Sequence, residues 1–445
     1  MNILQPRARR ARTWIGRLAA VAASVLALGG LAVPAALASA GDLAFADCTG
    51  LLPDCAPVSP YNATEGPHAV AVTPDGRQLY AASVFSGAVS HFTIGRAGDL
   101  SYAGCIGEAA GCTPVTPASA LDKATSLAIS PDGKNLYVTA GLSFGTFGSG
   151  GAVSHFTIGR AGDLTYAGCI GTLTVPGCTP IGVPAAIVGA YALAVSPDGA
   201  DLYASGAVIG TVVHFLINGS GDLGYDGCIG SAPGCTSIAQ GTLASVDALA
   251  VTPDGRDLYA ATFQNSAIYH FVINGYGDLG YDGCIGNPQH GCTPVTPGGA
   301  VGGAGGLLAA PGGRDLYASA ANAVSHFRID QYGNLAYAGC IGDVAGCTAT
   351  SPAGALDGAH APAVTAGGAD MYVPGQGGSV VSHFRVDGTG NLAFAGCAGE
   401  LAGCTGTYVI HALDGADAVT VTPDGAQLYA AGYTGDDISH FTIAG

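Results

Sequence analysis

The chain has 445 residues, 49% of them hydrophobic and only 10% charged, with 73 glycines, 14 cysteines and a formal net charge of −17. That acidity excludes a nucleic-acid-binding surface, and high hydropathy with so few charges excludes a disordered chain. Fourteen cysteines, an even number, point to disulfides and an oxidising compartment.

Residues 1–40 hold five arginines and no acid, then an apolar run from Leu18 to Val33, then Ala38-Ser39-Ala40. This pattern predicts a secretory signal peptide cleaved near Ala40. Its removal leaves nine basic residues against thirty-one acids, a formal charge of −22. No other apolar stretch reaches the length of a membrane span, so the mature chain is expected to be a secreted, soluble monomer.

From Gly41 the chain reads Gly-Asp-Leu-Ala-Phe, a short strand entered from a turn. The clearest full unit follows. It predicts a strand from His68 to Thr73, a Pro74-Asp75-Gly76 turn, and strands Gln78 to Ser83 and Val89 to Ile94. A turn at Gly95 to Gly98 and a strand Asp99 to Ala103 complete it. The unit recurs, counted on Tyr80, Tyr137, Tyr203, Tyr259, Tyr317, Tyr372 and Tyr429, and again on His91, His155, His214, His270, His326, His383 and His440. Both counts give seven, with the last copy ending at Ser439 to Ile443, one strand short. The strand after Gly41 supplies it. The expected fold is therefore all-β: a seven-bladed propeller of four-stranded antiparallel blades over residues 41–445, its ring closed by the N-terminal strand.

Each repeat carries one local cysteine pair: Cys48 with Cys55, Cys105 with Cys112, Cys169 with Cys178, Cys228 with Cys235, Cys284 with Cys292, Cys340 with Cys347, and Cys397 with Cys404. The spacing lacks the short knuckles of zinc sites and predicts one disulfide per blade. Thr73-Pro74-Asp75-Gly76-Arg77-Gln78-Leu79-Tyr80 with its copies, and the following Val-Ser-His-Phe and Gly-Asp-Leu elements, resemble the YVTN-repeat, lactonase-type seven-bladed propellers. The resemblance covers residues 41–445. It implies the fold, and with it relatives that open sugar lactones or cyclise muconates.

In that topology the Pro-Asp-Gly and Gly-Asp-Leu turns share one face, and the cysteine loops lie on the other. Of the basic residues only Lys123 falls on the cysteine face, so its mouth repels anionic ligands and favours cations or neutral ones. Residues where each first strand begins should ring the mouth, six places before the turn proline (Ala366 in the sixth repeat). They are His68, Thr125, Tyr191, Asp247, Gly305, His360 and Asp417. Three places earlier stand Glu65, Asp122, Val188, Ala244, Gly302, Asp357 and Asp414.

Scaffold residues repeat, so the unrepeated ones are the candidates for a site. His68 and His360 are the acid/base candidates, and with Asp417 they are candidate ligands of a divalent cation. Asp417, Asp414, Asp357, Glu65, Asp122, Asp247 and Tyr191 are candidates for binding a ligand or cation; the plainer reading is a solvated tunnel entrance. Gly66-Pro67-His68 also resembles the element that precedes the first strand in lactonase-type propellers. The seven repeated histidines are expected to make a structural hydrogen bond. Gly141-Leu142-Ser143-Phe144-Gly145 matches a nucleophile elbow in letters only, without the strand-to-helix context. Two functions remain: a binding or scaffold module for a protein, a glycan, a cation or a small neutral ligand, or an enzyme that opens a neutral lactone or cyclises a muconate.

Overall fold

The computed structural model describes residues 39–141, 150–238 and 243–445. They form seven antiparallel sheets arranged as the blades of a propeller. Blade 1 consists of Pro67–Val72, Gln78–Ser83, Ala88–Ile94 and Leu100–Gly107, paired in that order. The first strands of blades 2 to 7 are Ser126–Ile129, Ala190–Val195, Val246–Val251, Gly306–Ala309, Ala363–Val364 and Ala416–Val421. Blade 7 takes its outer strand from the N-terminal region: Leu43–Gly50 lies antiparallel to Asp437–Ile443, from Leu43 opposite Ile443 to Gly50 opposite Asp437.

Second and third strands do not alternate in polarity, because neighbouring blades cover both of their faces. Leu79, Tyr80, Ala81, Ala82, Val89 and Phe92 are all fully buried. The outer strand does alternate, exposing Ser101 and Ala103 while burying Leu100. It also runs further than its apolar pattern suggests. Cys105 lies inside the strand, and the chain after Cys112 returns parallel to it at Thr113. In blades 2, 4 and 7 this return is a fifth strand, at Thr179–Pro180, Thr293–Pro294 and Ala56–Pro57.

All seven cysteine pairs are disulfides joining the expected partners. Cys48 is bonded to Cys55, Cys105 to Cys112, Cys169 to Cys178 and Cys228 to Cys235, with Cα separations of 4.8 Å. Cys284 is bonded to Cys292, Cys340 to Cys347 and Cys397 to Cys404, with Cα separations of 4.7, 4.9 and 4.8 Å. Each bond ties the outer strand of a blade to the loop that returns along it.

Blades are latched to one another by the repeated tyrosine. Its hydroxyl donates to a glycine carbonyl in the next blade's outer turn at 2.6 to 2.8 Å, as in Tyr80 to Gly162, Tyr203 to Gly277 and Tyr429 to Gly98. The seventh bond, Tyr372 to Gly41, closes the ring across the N-terminal strand. Each repeated histidine stacks on its tyrosine, and its Nε2 meets the first side chain of the second strand. That partner is Gln78, Asn135 or Gln427 in blades 1, 2 and 7 and Asp201, Asp257, Asp315 or Asp370 in the others.

Candidate functional site

The seven first strands surround a central cavity of about 190 Å³. His68, Thr125, Tyr191, Asp247, Gly305, His360 and Asp417, one from each blade, all line it. Behind this polar ring the wall is mostly apolar, with Val70, Leu127, Leu193, Leu249, Leu307 and Val419. No lysine or arginine is among the lining residues.

A local backbone device places the ring. Two residues before each ring position the chain adopts a left-handed conformation, at Gly66, Lys123, Gly189, Ser245, Gly303, Gly358 and Gly415, with φ between +56° and +68°. Four ring residues, His68, Tyr191, Asp247 and Asp417, then fall within β-bulges at the start of their strands. A bulge re-aims a side chain that regular pairing would hold against the neighbouring sheet.

Asp417 is the centre of the polar cluster, its side chain only 2% exposed. Oδ2 lies 3.3 Å from His68 Nε2 and Oδ1 lies 3.4 Å from His360 Nδ1. The Gln376 amide also donates to Oδ1, at 3.2 Å. His68 Nδ1 is 2.8 Å from the Thr125 carbonyl. A carbonyl only accepts, so Nδ1 carries the hydrogen, and in the neutral ring Nε2 can accept from the Tyr191 hydroxyl 3.1 Å away. The Thr125 hydroxyl is itself spent on the backbone and on Thr139, leaving the residue a positioning role.

Burial pushes the Asp247 carboxyl up to about 6, against the lowering effect of the Ser245 hydroxyl, which donates to it at 2.7 Å, and of His360. Burial also holds the Tyr191 phenol well above its ordinary value, reinforced by Asp417 and Asp247. Both act as neutral hydrogen-bonding groups in mildly acidic solution. Above His68 lies an aromatic shelf: Tyr433 meets its ring edge-on at 5.9 Å, and the exposed Phe85 tilts against Tyr433 at 5.2 Å.

The second tier expected at the mouth is not brought to the cavity. Glu65, Asp122 and Asp357 are exposed, and Asp414 pairs with His411 at 2.8 Å; none lines the cavity. The left-handed residue that follows turns the chain between this tier and the ring. Asp437 is fully buried beside the Cys48–Cys55 disulfide, away from the cavity. Asp417 stands between the two imidazoles, with one carboxylate oxygen toward each ring and the ring centroids of His68 and His360 6.4 Å apart. Ser143, in the nucleophile-elbow lookalike, lies outside the described residues. Sequence comparison of the repeats missed Gln376. It sits just after the second strand, equivalent to Tyr433 and Phe263, and is the one amide at that place.

The fold is that of a seven-bladed β-propeller, and it is shared with solved structures that carry a lactonase name. No protein-family model matches the chain, and no curated protein matches it. Among solved structures it is similar to the periplasmic gluconolactonase PpgL of Pseudomonas aeruginosa, at 17% identity and a TM-score of 0.55, over 80% of this chain and 87% of that one. A candidate 6-phosphogluconolactonase of Bacteroides fragilis aligns at 18% identity and a TM-score of 0.51, over 76% of this chain and 86% of its own. A functionally unknown protein of Desulfotomaculum acetoxidans aligns at 15% identity and 0.51, over 76% and 85%.

Proposed function

We propose that this is an exported binding propeller whose tunnel mouth holds a small, uncharged, hydroxyl-bearing ligand such as a sugar or sugar lactone. The observation that carries this reading is the convergence of His68, Asp417, His360 and Tyr191 on one cavity without a single lysine or arginine in its lining. A buried carboxylate and imidazoles can accept from and donate to hydroxyls, whereas an anionic ligand would meet Asp417 and Asp247 with no cation to offset them. The Phe85–Tyr433 shelf offers an apolar surface for one face of a sugar ring. Seven disulfides accord with a protein built for an oxidising compartment.

Calorimetric titration with neutral monosaccharides and their lactones, beside the matching sugar acids and sugar phosphates, tests this. Binding is expected for a neutral member and should weaken at least tenfold in Asp417→Asn, equivalent to about 1.4 kcal/mol. Tighter binding of the acids or phosphates would overturn the reading.

The His68 geometry favours one extension, lactone opening. Its Nε2 lies between a phenol and a carboxylate, so the imidazole could take a proton from water attacking a lactone carbonyl and return it to the ring oxygen as the C–O bond breaks. Similar structures that carry a lactonase name make this the reaction to assay. Turnover of neutral lactones should fall at least about tenfold in His68→Gln; unchanged turnover removes His68 from the chemistry.

A further inference from the structure

Six times the outer strand of a blade is entered through the same turn, whose last residues are Ala97-Gly98-Asp99-Leu100, Ala161-Gly162-Asp163-Leu164, Ser220-Gly221-Asp222-Leu223, Tyr276-Gly277-Asp278-Leu279, Tyr332-Gly333-Asn334-Leu335 and Thr389-Gly390-Asn391-Leu392. The glycine is left-handed in each, and its N–H donates to the carbonyl three residues back, as in Gly98 to Gly95 at 3.1 Å and Gly390 to Asp387 at 2.9 Å. Its own carbonyl accepts the tyrosine latch.

Ala40-Gly41-Asp42-Leu43 is the seventh copy. Gly41 has φ +84°, inside the +80° to +91° of the other six, and its carbonyl accepts from Tyr372 at 2.8 Å. Its N–H, however, donates at 2.7 Å to Ala444, which stands where Gly95 stands in blade 1. The third strand and the glycine of this turn therefore come from opposite ends of the blade's sequence, and no covalent link between them is needed. A Cβ at Gly41 would collide with Asp370 Oδ1 and His383 Nε2, so only glycine fits. Immediately upstream, Ser39 and Ala40 are exposed and end the small-residue Ala38-Ser39-Ala40 element.

We propose that the Ala40–Gly41 peptide bond is a processing site, and that the α-amino group released there is a structural group that completes the last turn of the ring. Hydrolysis by an export-linked peptidase adds water across the bond: the leaving segment keeps the Ala40 carboxylate and Gly41 keeps the nitrogen. At neutral pH that nitrogen is an ammonium. It retains a hydrogen for the Ala444 carbonyl and gains a positive charge in a turn flanked by Asp42 and Asp370. The Asp42 carboxylate accepts from the Ser39 N–H at 2.6 Å in the uncut chain and also lies 3.7 Å from His383 Nδ1; cleavage removes the first of these partners. A peptidase that requires a small residue before the cut and a turn that requires glycine after it are satisfied by the same two residues.

The test starts with the protein recovered from an exporting host. Intact mass and N-terminal sequencing should give Gly41 as the first residue; any other start overturns the processing site. That protein is then compared with the same protein acetylated at the N-terminus, which keeps one N–H but removes the charge, and with Gly41→Ala. Both are expected to lower Tm by about 1 °C or more, the shift that roughly 1 kcal/mol produces at an unfolding entropy of about 2.1 cal/mol/K per residue over the chain from Gly41. Both should also speed amide exchange several-fold in Leu43–Gly50 and Asp437–Ile443. Gly219→Ala, in an outer turn where a Cβ meets nothing within 4 Å, should change neither. If the acetylated protein matches the unmodified one in Tm and exchange, the ammonium has no structural part; if Gly41→Ala does, the turn does not require glycine.

Discussion

Asp247 and Asp437 are both carboxyls that burial holds above the usual carboxylate range, and they separate function from strain at the residue scale. For Asp247, raised to about 6, the folded state keeps its proton longer than the unfolded chain does. Its stabilising contribution is therefore full below about pH 4 and is lost as pH rises through about 6. Asp247→Asn should remove that loss: the variant gains on the wild type between pH 4 and 7. The gain is at most about 3 kcal/mol, because each pH unit between the folded and unfolded carboxyl corresponds to about 1.36 kcal/mol. Thermal melts at the two pH values measure it, and an unchanged difference would refute it.

Asp437 has the same sign and no place in the cavity. Its Oδ2 takes the Ser439 hydroxyl at 2.9 Å, while Oδ1 is buried without a partner. Four other blades carry alanine there, at Ala88, Ala152, Ala267 and Ala323. Asp437→Ala is expected to stabilise the protein at pH 7.5 by about 1–3 kcal/mol, the usual penalty of an unpaired buried polar group, and by less at pH 4. Urea midpoints at both pH values decide it.

At the scale of elements, the ring of site residues is set by the seven left-handed residues that precede it. Five are glycine, while Lys123 and Ser245 hold the same conformation against a Cβ. That conformation costs a non-glycine residue roughly 1–2 kcal/mol. Ser245 uses its hydroxyl on Asp247, which gives a reason to keep it. Lys123→Gly has no such bond to lose and should raise the unfolding free energy by roughly 1 kcal/mol, with the ligand affinity unchanged. A lower urea midpoint would show that the lysine side chain contributes more than its backbone strain removes.

For the whole molecule, stability is assembled from repeated local devices, seven tyrosine latches and seven disulfides, rather than from one large core. The disulfides close loops whose ends are 7 to 9 residues apart in sequence. A loop of eight residues limits the unfolded chain by about 2.5 kcal/mol in the chain-entropy model. Denatured, unreduced protein should show no free thiol in a thiol titration. Reduction should lower the thermal midpoint and speed proteolysis while leaving the far-ultraviolet β signal of the ring, since every disulfide is local to one blade and none joins two.

The repeat, and everything that follows from its period, is legible in the chain: seven blades, the cysteine pairs from Cys48–Cys55 to Cys397–Cys404, the strand borrowed from the N-terminal region, and the structural use of His91 and its copies. These are local patterns repeated seven times, so each copy corroborates the others. Even the ring of first-strand positions is found by counting back from Pro74 and its equivalents, because the strand has a fixed length between two turns.

Which ring members meet is settled only by folding. Tyr191 reaches His68 from two blades away, and Asp417 bridges His68 and His360. Gln376, invisible to the count because it lies in another loop, completes the carboxylate's shell. Glu65, Asp122, Asp357 and Asp414 share the ring's spacing but not its direction, because one left-handed residue turns the chain between them. A linear pattern records the spacing of side chains; their direction is set by bulges and left-handed residues that almost any composition can conceal.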